Sequence, residues 1–167
     1  MQVIYFESIN KILKNKKKLE RKLKVKIEIQ GKKIIIEGKE EDEYLAYHVL
    51  DAINLKFDID IALLILEEDY VFEKIQIKSH TRRRNLKEVR ARIIGKKGKT
   101  KQLIEELSEC HLSLHKNTLG IIGPAENIRN CIQALKKLIQ GSKQSSVYSY
   151  LERQRKVFHP PDLGLKE

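Results

Sequence analysis

The stretch Arg92-Ile93-Ile94-Gly95-Lys96-Lys97-Gly98-Lys99-Thr100 decides how this sequence is interpreted. Two apolar residues precede Gly-Lys-Lys-Gly, and the run that follows, residues 101–107, is compatible with a helix. Glycines at this spacing permit a tight loop between two helices and allow a phosphodiester backbone to come close. The start of the second helix offers N–H groups and a positive dipole end to a phosphate, and three lysines add charge. We therefore predict a nucleic-acid-binding loop at residues 95–98.

The charge of the chain supports an anionic partner. Its 167 residues include 34 Lys and Arg against 23 Asp and Glu, a net charge of +11. Basic residues cluster in two segments, 11–26 with Glu20 as its one acid and 78–101 with Glu88 as its one acid. A solvated lysine-rich surface is the alternative, but such a surface is expected to interleave the two signs. The clustering therefore favours nucleic acid.

The second half of the chain reads as strand, helix, glycine loop, helix, strand, strand, helix. Pro124 near the start of the last of these helices and Gly141 after it are typical helix boundaries. A further helix begins near Ser145 or Ser146 and carries Val147 and Leu151 on its apolar face. The other elements are predicted at residues 70–77, at a short helix ending at 93–94, and at 101–110, 112–114 and 119–122.

The first half repeats this plan in a shorter form. Strands are predicted at 3–6, 25–29 and 34–36, with one or two short helices after the first strand and a helix from Glu40 to Ile53. A further apolar helix, residues 61–68, precedes the boundary. We predict three segments: a first domain with this linking helix at 1–68, a second domain with its C-terminal helix at 69–158, and a mobile tail at 159–167.

The order of elements around the loop is similar to that of a type I KH domain, βααββα. The predicted fold class is therefore α+β, with two tandem type I KH domains, the first degenerate, and an extra C-terminal helix. Four segments carry a closer resemblance: 62–77 (ALLILEEDYVFEKIQI), 92–106 (RIIGKKGKTKQLIEE), 119–123 (LGIIG) and 147–156 (VYSYLERQRK). They resemble one family, the archaeal and eukaryotic KH proteins of small-ribosomal-subunit assembly of the partner-of-Nob type. The segment 147–156 matters most, because generic KH proteins lack it.

The resemblance implies a protein that binds the 3′ region of small-subunit ribosomal RNA as a single strand. It also implies a maturation endonuclease as a partner and, for an archaeal member, an initiation factor. KH loops clamp about four nucleotides. The predicted RNA-binding residues are the loop and its flanks (Arg92, Ile93, Ile94, Gly95, Lys96, Lys97, Gly98, Lys99, Thr100 and Lys101) and a basic track before them (Arg82, Arg83, Arg84, Lys87 and Arg90). A solvated helix face is the alternative for the basic track.

The first half departs from the family pattern. No Gly-x-x-Gly occurs there, and the corresponding place is Lys14-Asn15-Lys16-Lys17. Without glycines, close approach of an RNA backbone is not expected, so the first domain is predicted to serve in packing, protein contact or auxiliary RNA contact. His111 and His115 stand on a strand where relatives often have aromatic residues. Their rings can stack on bases, but their role stays open.

Other chemistries find little support. Cys110 and Cys131 fall on apolar helix positions, which predicts buried free thiols in a reducing compartment. They complete no usual zinc spacing, and no nucleophile–base pair or nucleotide-binding loop is found, so we expect no metal, no cofactor and no enzyme. No run approaches a membrane span and the first residues lack a signal-peptide pattern, so a cytoplasmic location is expected. The acidic stretch 58–73 suggests helix capping or, as an alternative function, an adaptor surface for a protein.

Overall fold

The structure is a computed structural model that describes residues 1–158, with side chains described through Arg155. The predicted tail at 159–167 lies outside the described residues. The chain divides into two compact units, Met1–Phe72 and a second that begins at Glu73. The sequence places the boundary at 68–69, just before the strand that straddles this division.

The first unit is a three-stranded antiparallel sheet with helices. Its central strand is the last in sequence, because β1 and β2 both pair with β3. The isoleucines of β3 are accordingly buried, and Ile34 and Ile36 are fully so. The main elements are β1 (Gln2–Tyr5), α1 (Asn10–Leu23), β2 (Lys26–Gln30), β3 (Lys33–Glu37) and α2 (Glu40–Asn54).

Helix α1 replaces the two helices and loop of a complete KH unit. It runs for 14 residues without interruption, and Lys14–Lys17 lies in its middle. Ile12, Leu19 and Leu23 keep one buried face along its whole length, and no glycine breaks the pattern. A helix satisfies its own backbone N–H groups, so this segment has no loop that could clamp a phosphate.

The segment after α2 differs from the sequence prediction. One helix was expected over 61–68, but α3 covers only Ile59–Ala62 and a 3₁₀ turn follows at Leu63–Leu66. Ile59, Ala62 and Ile65 are buried. An all-round apolar run carries no clear 3.6-residue period, and so its sequence does not fix a helix boundary.

The second unit has the complete βααββα order followed by one more helix. Strand β6 is again central, between β4 and β5, and β5 pairs with β6 in antiparallel register from His111–Ile122 to His115–Thr118. This confirms the predicted fold class. The elements are β4 (Tyr70–Gln76), α4 (Leu86–Ile94), α5 (Lys99–Ser108), β5 (His111–His115), β6 (Thr118–Pro124), α6 (Ala125–Gln140) and α7 (Gln144–Phe158), with a 3₁₀ turn at Ile77–His80.

Two helix ends in the second unit refine the predictions. Helix α6 stops at Gly141, which takes the left-handed conformation at φ 112° as predicted. Helix α5 stops at Ser108 because Glu109 is left-handed at φ 58°. The expected helical position of Cys110 is therefore wrong: this residue lies between α5 and β5, where it is still only 2% exposed.

Candidate nucleic-acid interface

The Gly-Lys-Lys-Gly sequence forms the connection between α4 and α5, as predicted. Helix α4 ends at Ile94, and the N–H of Gly95 donates to the carbonyl of Ala91 at 2.8 Å. One 3₁₀ turn follows, in which the N–H of Gly98 donates to the carbonyl of Gly95 at 3.2 Å. Helix α5 then begins at Lys99, so the loop presents the start of a ten-residue helix beside its lysines.

The two glycines do different work. Gly95 has φ 75° and ψ 176°, a region that only glycine adopts readily. A Cβ atom there would lie 2.1 Å from Oγ1 of Thr100, whereas a Cβ at Gly98 would meet nothing within 4 Å. The sequence had suggested that both glycines keep space for a ligand. Open space lies beside Gly98 only, whereas Gly95 lets the first turn of α5 pack against the loop.

Three of the predicted lysines are available to a ligand. Lys96, Lys97 and Lys99 are exposed, and their side chains form no hydrogen bond or ion pair with any other residue that the structure describes. Lys101 differs, because its Nζ lies 2.9 Å from Oε1 of Glu105. Its charge is partly compensated, so the positive charge is concentrated on the loop itself.

Only part of the predicted basic track, which begins before α4 and continues into it, is free to bind a ligand. Arg82, Arg84 and Lys87 are exposed, and their side chains make no hydrogen bond or ion pair within residues 1–155. Arg83 lies 3.9 Å from Glu88, both well exposed, a pair of little strength. Arg90 is half-buried and donates to the side chain of Asn117 in the β5–β6 turn. An open cleft adjoins the arginines and is lined by Ser79, His80, Thr81, Arg82, Arg83 and Gln140.

Arg92 has a different use from the one predicted. Its guanidinium donates to the carbonyls of Leu138 at 3.0 Å and Ser142 at 2.6 Å. These carbonyls lie at the C-terminal end of α6, where unpaired acceptors and a negative dipole end favour a cation. Arg92 therefore ties α4 to α6. No local signal announces this, because its partners follow 46 and 50 residues later.

Of the apolar residues in and around the loop that could contact a base, one is exposed. Ile93 and Ile104 are fully buried and Leu112 is 4% exposed, so these three belong to the core. Leu103 is half-buried, and Ile94, next to Gly95, is 40% exposed. Ile94 is the residue of this set best placed to touch a base beside the loop.

Sequence reasoning missed one residue at this site. Gln144, the first residue of α7, places its Nε2 3.3 Å from the carbonyl of Arg92 and 3.3 Å from Oγ1 of Thr100. Thr100 was predicted as an RNA contact, but it is only 5% exposed. A polar residue opening a helix is unremarkable in sequence, so only the fold reveals this contact.

The two histidines of β5 and the cysteines lie outside the loop in the sequence and are at least half-buried. His111 and His115 are half-buried at the two ends of β5. Cys110 and Cys131 are free and buried, and a hydrogen bond with Cys110 together with burial raises the pKa of Cys131. Within the described part of the chain, no three His, Cys, Asp or Glu side chains are grouped as a metal site. Nor does that part contain a helix of the length and apolarity needed to cross a membrane.

Comparisons with known proteins match both the fold and the loop. A family model for the second KH domain of Pno1, described as a eukaryotic type KH domain of type I, matches residues 71–156. The KH domain-containing protein MJ0443 of Methanocaldococcus jannaschii is 31% identical over 147 residues, which are 84% of this chain and 65% of that protein. The pre-rRNA-processing protein pno1 of Emericella nidulans is 34% identical over 106 residues, 61% of this chain and 41% of its own length.

A solved structure covers nearly the whole chain. It belongs to an a/eIF2alpha–aDim2p–rRNA complex from Pyrococcus horikoshii, with a TM-score of 0.83 and 30% identity over 93% of this chain and 94% of that one. The chain spans less than two thirds of the length of the two curated relatives. With the loop, the second βααββα unit and the added helix α7 all in place, the chain belongs to the Pno1-type family of KH-domain proteins.

Proposed function

We propose that this protein binds single-stranded RNA through the α4–α5 loop of its second unit. The observation that carries the proposal is the open surface at Gly98, where an added Cβ would meet no atom within 4 Å other than those of the glycine and its two chain neighbours. The free lysines Lys96, Lys97 and Lys99 surround this surface. A phosphodiester backbone needs both features, namely room for close approach and unpaired positive charge.

In the proposed mechanism, positive charge on the loop binds the phosphates and a small apolar surface contacts a base. The loop lysines and the N–H groups at the start of α5 bind successive phosphates, over about four nucleotides in a KH domain. Ile94 contacts a base on the apolar side of the loop. Arg82 and Arg84 before α4, together with Lys87 in its first turn, attract the RNA strand before it binds the loop.

The direct test is a pair of charge-reversal variants with equal net charge. Lys96→Asp with Lys97→Asp is expected to abolish binding of a labelled single-stranded RNA in a fluorescence anisotropy titration. The matched control, Lys14→Glu with Lys17→Glu, reverses two exposed lysines of α1 and is expected to retain most of the affinity. Asp tolerates the left-handed position of Lys97 (φ 54°) and Glu suits a helix. Equal losses in both variants, or no loss in the loop variant, would contradict the proposal.

The proposed cellular target is the 3′ region of small-subunit ribosomal RNA. Two observations on relatives support it: one is named a pre-rRNA-processing protein, and a solved neighbour is part of a complex with rRNA. Ultraviolet crosslinking in the source cells, followed by sequencing of the bound fragments, tests this target. Reads concentrated near the 3′ end of small-subunit rRNA are expected, and reads spread over messenger RNAs would contradict it.

A second candidate function is that of an adaptor for an initiation factor or a maturation nuclease, with the first unit as the contact surface. The a/eIF2alpha subunit in the neighbouring complex supports it. Asp60 pairs with Lys18 at 2.9 Å, but Glu67, Glu68 and Asp69 are exposed and are available to a partner. A pull-down of either partner that survives nuclease treatment and is lost when these three acids are reversed supports the adaptor. Loss on nuclease treatment alone rejects it.

We propose that the protein catalyses no reaction on RNA and that it is located in the cytoplasm. RNA incubated with the protein and a divalent metal is expected to stay intact, and cleavage that tracks the protein through purification would contradict this. Fractionation of the source cells tests the location.

A further inference from the structure

The side chain of Gln144 joins the two helices that flank the loop. Its Nε2 donates to the carbonyl of Arg92, in the last turn of α4, and to the hydroxyl of Thr100, in the first turn of α5, each at 3.3 Å. A single amide group therefore spans both ends of the Gly-x-x-Gly connection.

The corner that carries Gln144 is held firmly. The N–H of Gly141 donates to Leu138 at 3.2 Å and that of Ser142 to Lys137 at 3.0 Å. Arg92 binds the carbonyls of Leu138 and Ser142 from the side of α4. Along α7, Val147 and Leu151 are each 1% exposed, so the backbone of Gln144 is fixed relative to the core of the second unit.

The loop needs such support from outside. Gly95, Lys97 and Gly98 all have positive φ, at 75°, 54° and 75°. Three such residues within four positions form a conformation that a free chain adopts rarely, and Lys97 adopts it against the preference of its own Cβ. The side chain of Thr100 fills the space where a Cβ of Gly95 would lie, so a shift of Thr100 would change the packing of the loop against α5.

We propose that Gln144 is a positioning residue for RNA binding, acting through Thr100 and the end of α4 on the shape of the loop and without contacting RNA. The inference rests on the proposed function of that loop. If only a fraction of molecules holds the loop in its binding shape, the apparent Kd rises by the inverse of that fraction. Loss of the two hydrogen bonds is expected to weaken RNA binding by about threefold to tenfold.

The test is a double-mutant cycle on the full chain. Gln144→Met keeps the length of the side chain and removes its donors, and Thr100→Val keeps the shape of threonine and removes the hydroxyl. Each is expected to weaken binding of a single-stranded RNA by about threefold to tenfold, and the double variant by less than the product of the two, because both break the same contact. Gln154→Met changes a half-buried glutamine of α7 that lines a small pocket with Ser108 and Asn127; it is the matched control and is expected to bind normally.

Hydrogen exchange in the free protein separates positioning from contact. Gln144→Met is expected to speed hydrogen exchange of the amides of residues 97–100 in the absence of RNA, because the loop is then held less firmly. Weaker RNA binding with unchanged exchange of these amides would show direct contact and overturn the inference.

The remaining outcomes distinguish the inference from the proposed function. Affinity within twofold of the native chain for Gln144→Met, with binding abolished by the Lys96 and Lys97 reversals, rejects the inference alone. Unchanged affinity in both rejects the proposed function. If Gln144→Met does not fold, Thr100→Ser and Thr100→Val test the same contact, since only the serine variant keeps the hydroxyl. Equal affinities of these two would overturn the inference.

Discussion

Alanine at Gly95 places a methyl group 2.1 Å from Oγ1, 2.7 Å from Cβ and 2.8 Å from the backbone N of Thr100. Rotation of the threonine side chain can move Oγ1 away, but it moves neither Cβ nor the backbone N. The strained dihedrals cost about 1–3 kcal/mol and the overpacking about 1–3 kcal/mol more. Gly95→Ala is therefore expected to lower the free energy of unfolding of the second unit by about 2–6 kcal/mol.

The methyl group of alanine at Gly98 would meet no atom within 4 Å beyond its own residue and the two chain neighbours, although φ is 75°. Only the left-handed conformation is then unfavourable, at about 1–2 kcal/mol. Gly31, in the β2–β3 turn, is the matched control, because it has φ 63° and the same open surroundings. Gly31→Ala and Gly98→Ala should lose similar stability, but only Gly98→Ala should weaken RNA binding, since its methyl group occupies the surface assigned to the phosphate backbone.

Urea unfolding of the three alanine variants, followed by RNA titration of the two stable ones, measures both effects. A Gly95→Ala variant as stable as Gly31→Ala would refute the contact between the loop and Thr100. Equal RNA affinities of the Gly98→Ala and Gly31→Ala variants would refute close approach at Gly98.

Three further predictions concern other parts of the chain. Arg92→Met should destabilise the second unit by about 2–3 kcal/mol in thermal unfolding without RNA, because two carbonyls lose a charged donor. The control, Arg84→Met, should leave the melting temperature unchanged and only weaken RNA binding. The N-terminal ammonium group and a backbone N–H hold the pKa of Glu43 below its ordinary value. This carboxylate therefore stabilises the first unit at neutral pH, and its contribution is lost as pH falls through its folded pKa. In the Glu43→Gln variant the melting temperature should depend less steeply on pH below about pH 4.5 than in the native protein. Cys110 and Cys131 should resist a thiol-reactive dye in the native protein and react together on unfolding, and rapid reaction of either under native conditions would contradict their burial.

The position of the loop was predictable because its signals are local. Two glycines three residues apart, apolar residues before them and a 3.6-residue pattern after them place a turn between two helices wherever they occur. The unbroken helix α1 follows from the same kind of signal, since Ile12, Leu19 and Leu23 share one face. Whether the segment forms one helix or two is not decided by this pattern.

The contacts that hold the loop were not predictable because their partners are distant in sequence. Nothing near Arg92 indicates that its guanidinium binds carbonyls at the end of α6, and nothing near Gln144 indicates a bond to Thr100. Arg92 and Thr100 were predicted to bind RNA because they flank the glycine loop and because Arg92 is charged. Burial and hydrogen bonding in the folded chain decide such roles, and a pattern of residue types cannot supply them.

The most direct test of RNA binding by the second unit is an NMR titration of the whole chain with a short single-stranded RNA. We expect the amide signals of residues 95–100 to shift first and most, with smaller changes at Arg82 and Arg84. The amides of Lys14–Lys17 in α1 should stay in place at stoichiometric RNA. Shifts centred on α1, or spread evenly over both basic segments, would contradict the assignment of RNA binding to the glycine loop.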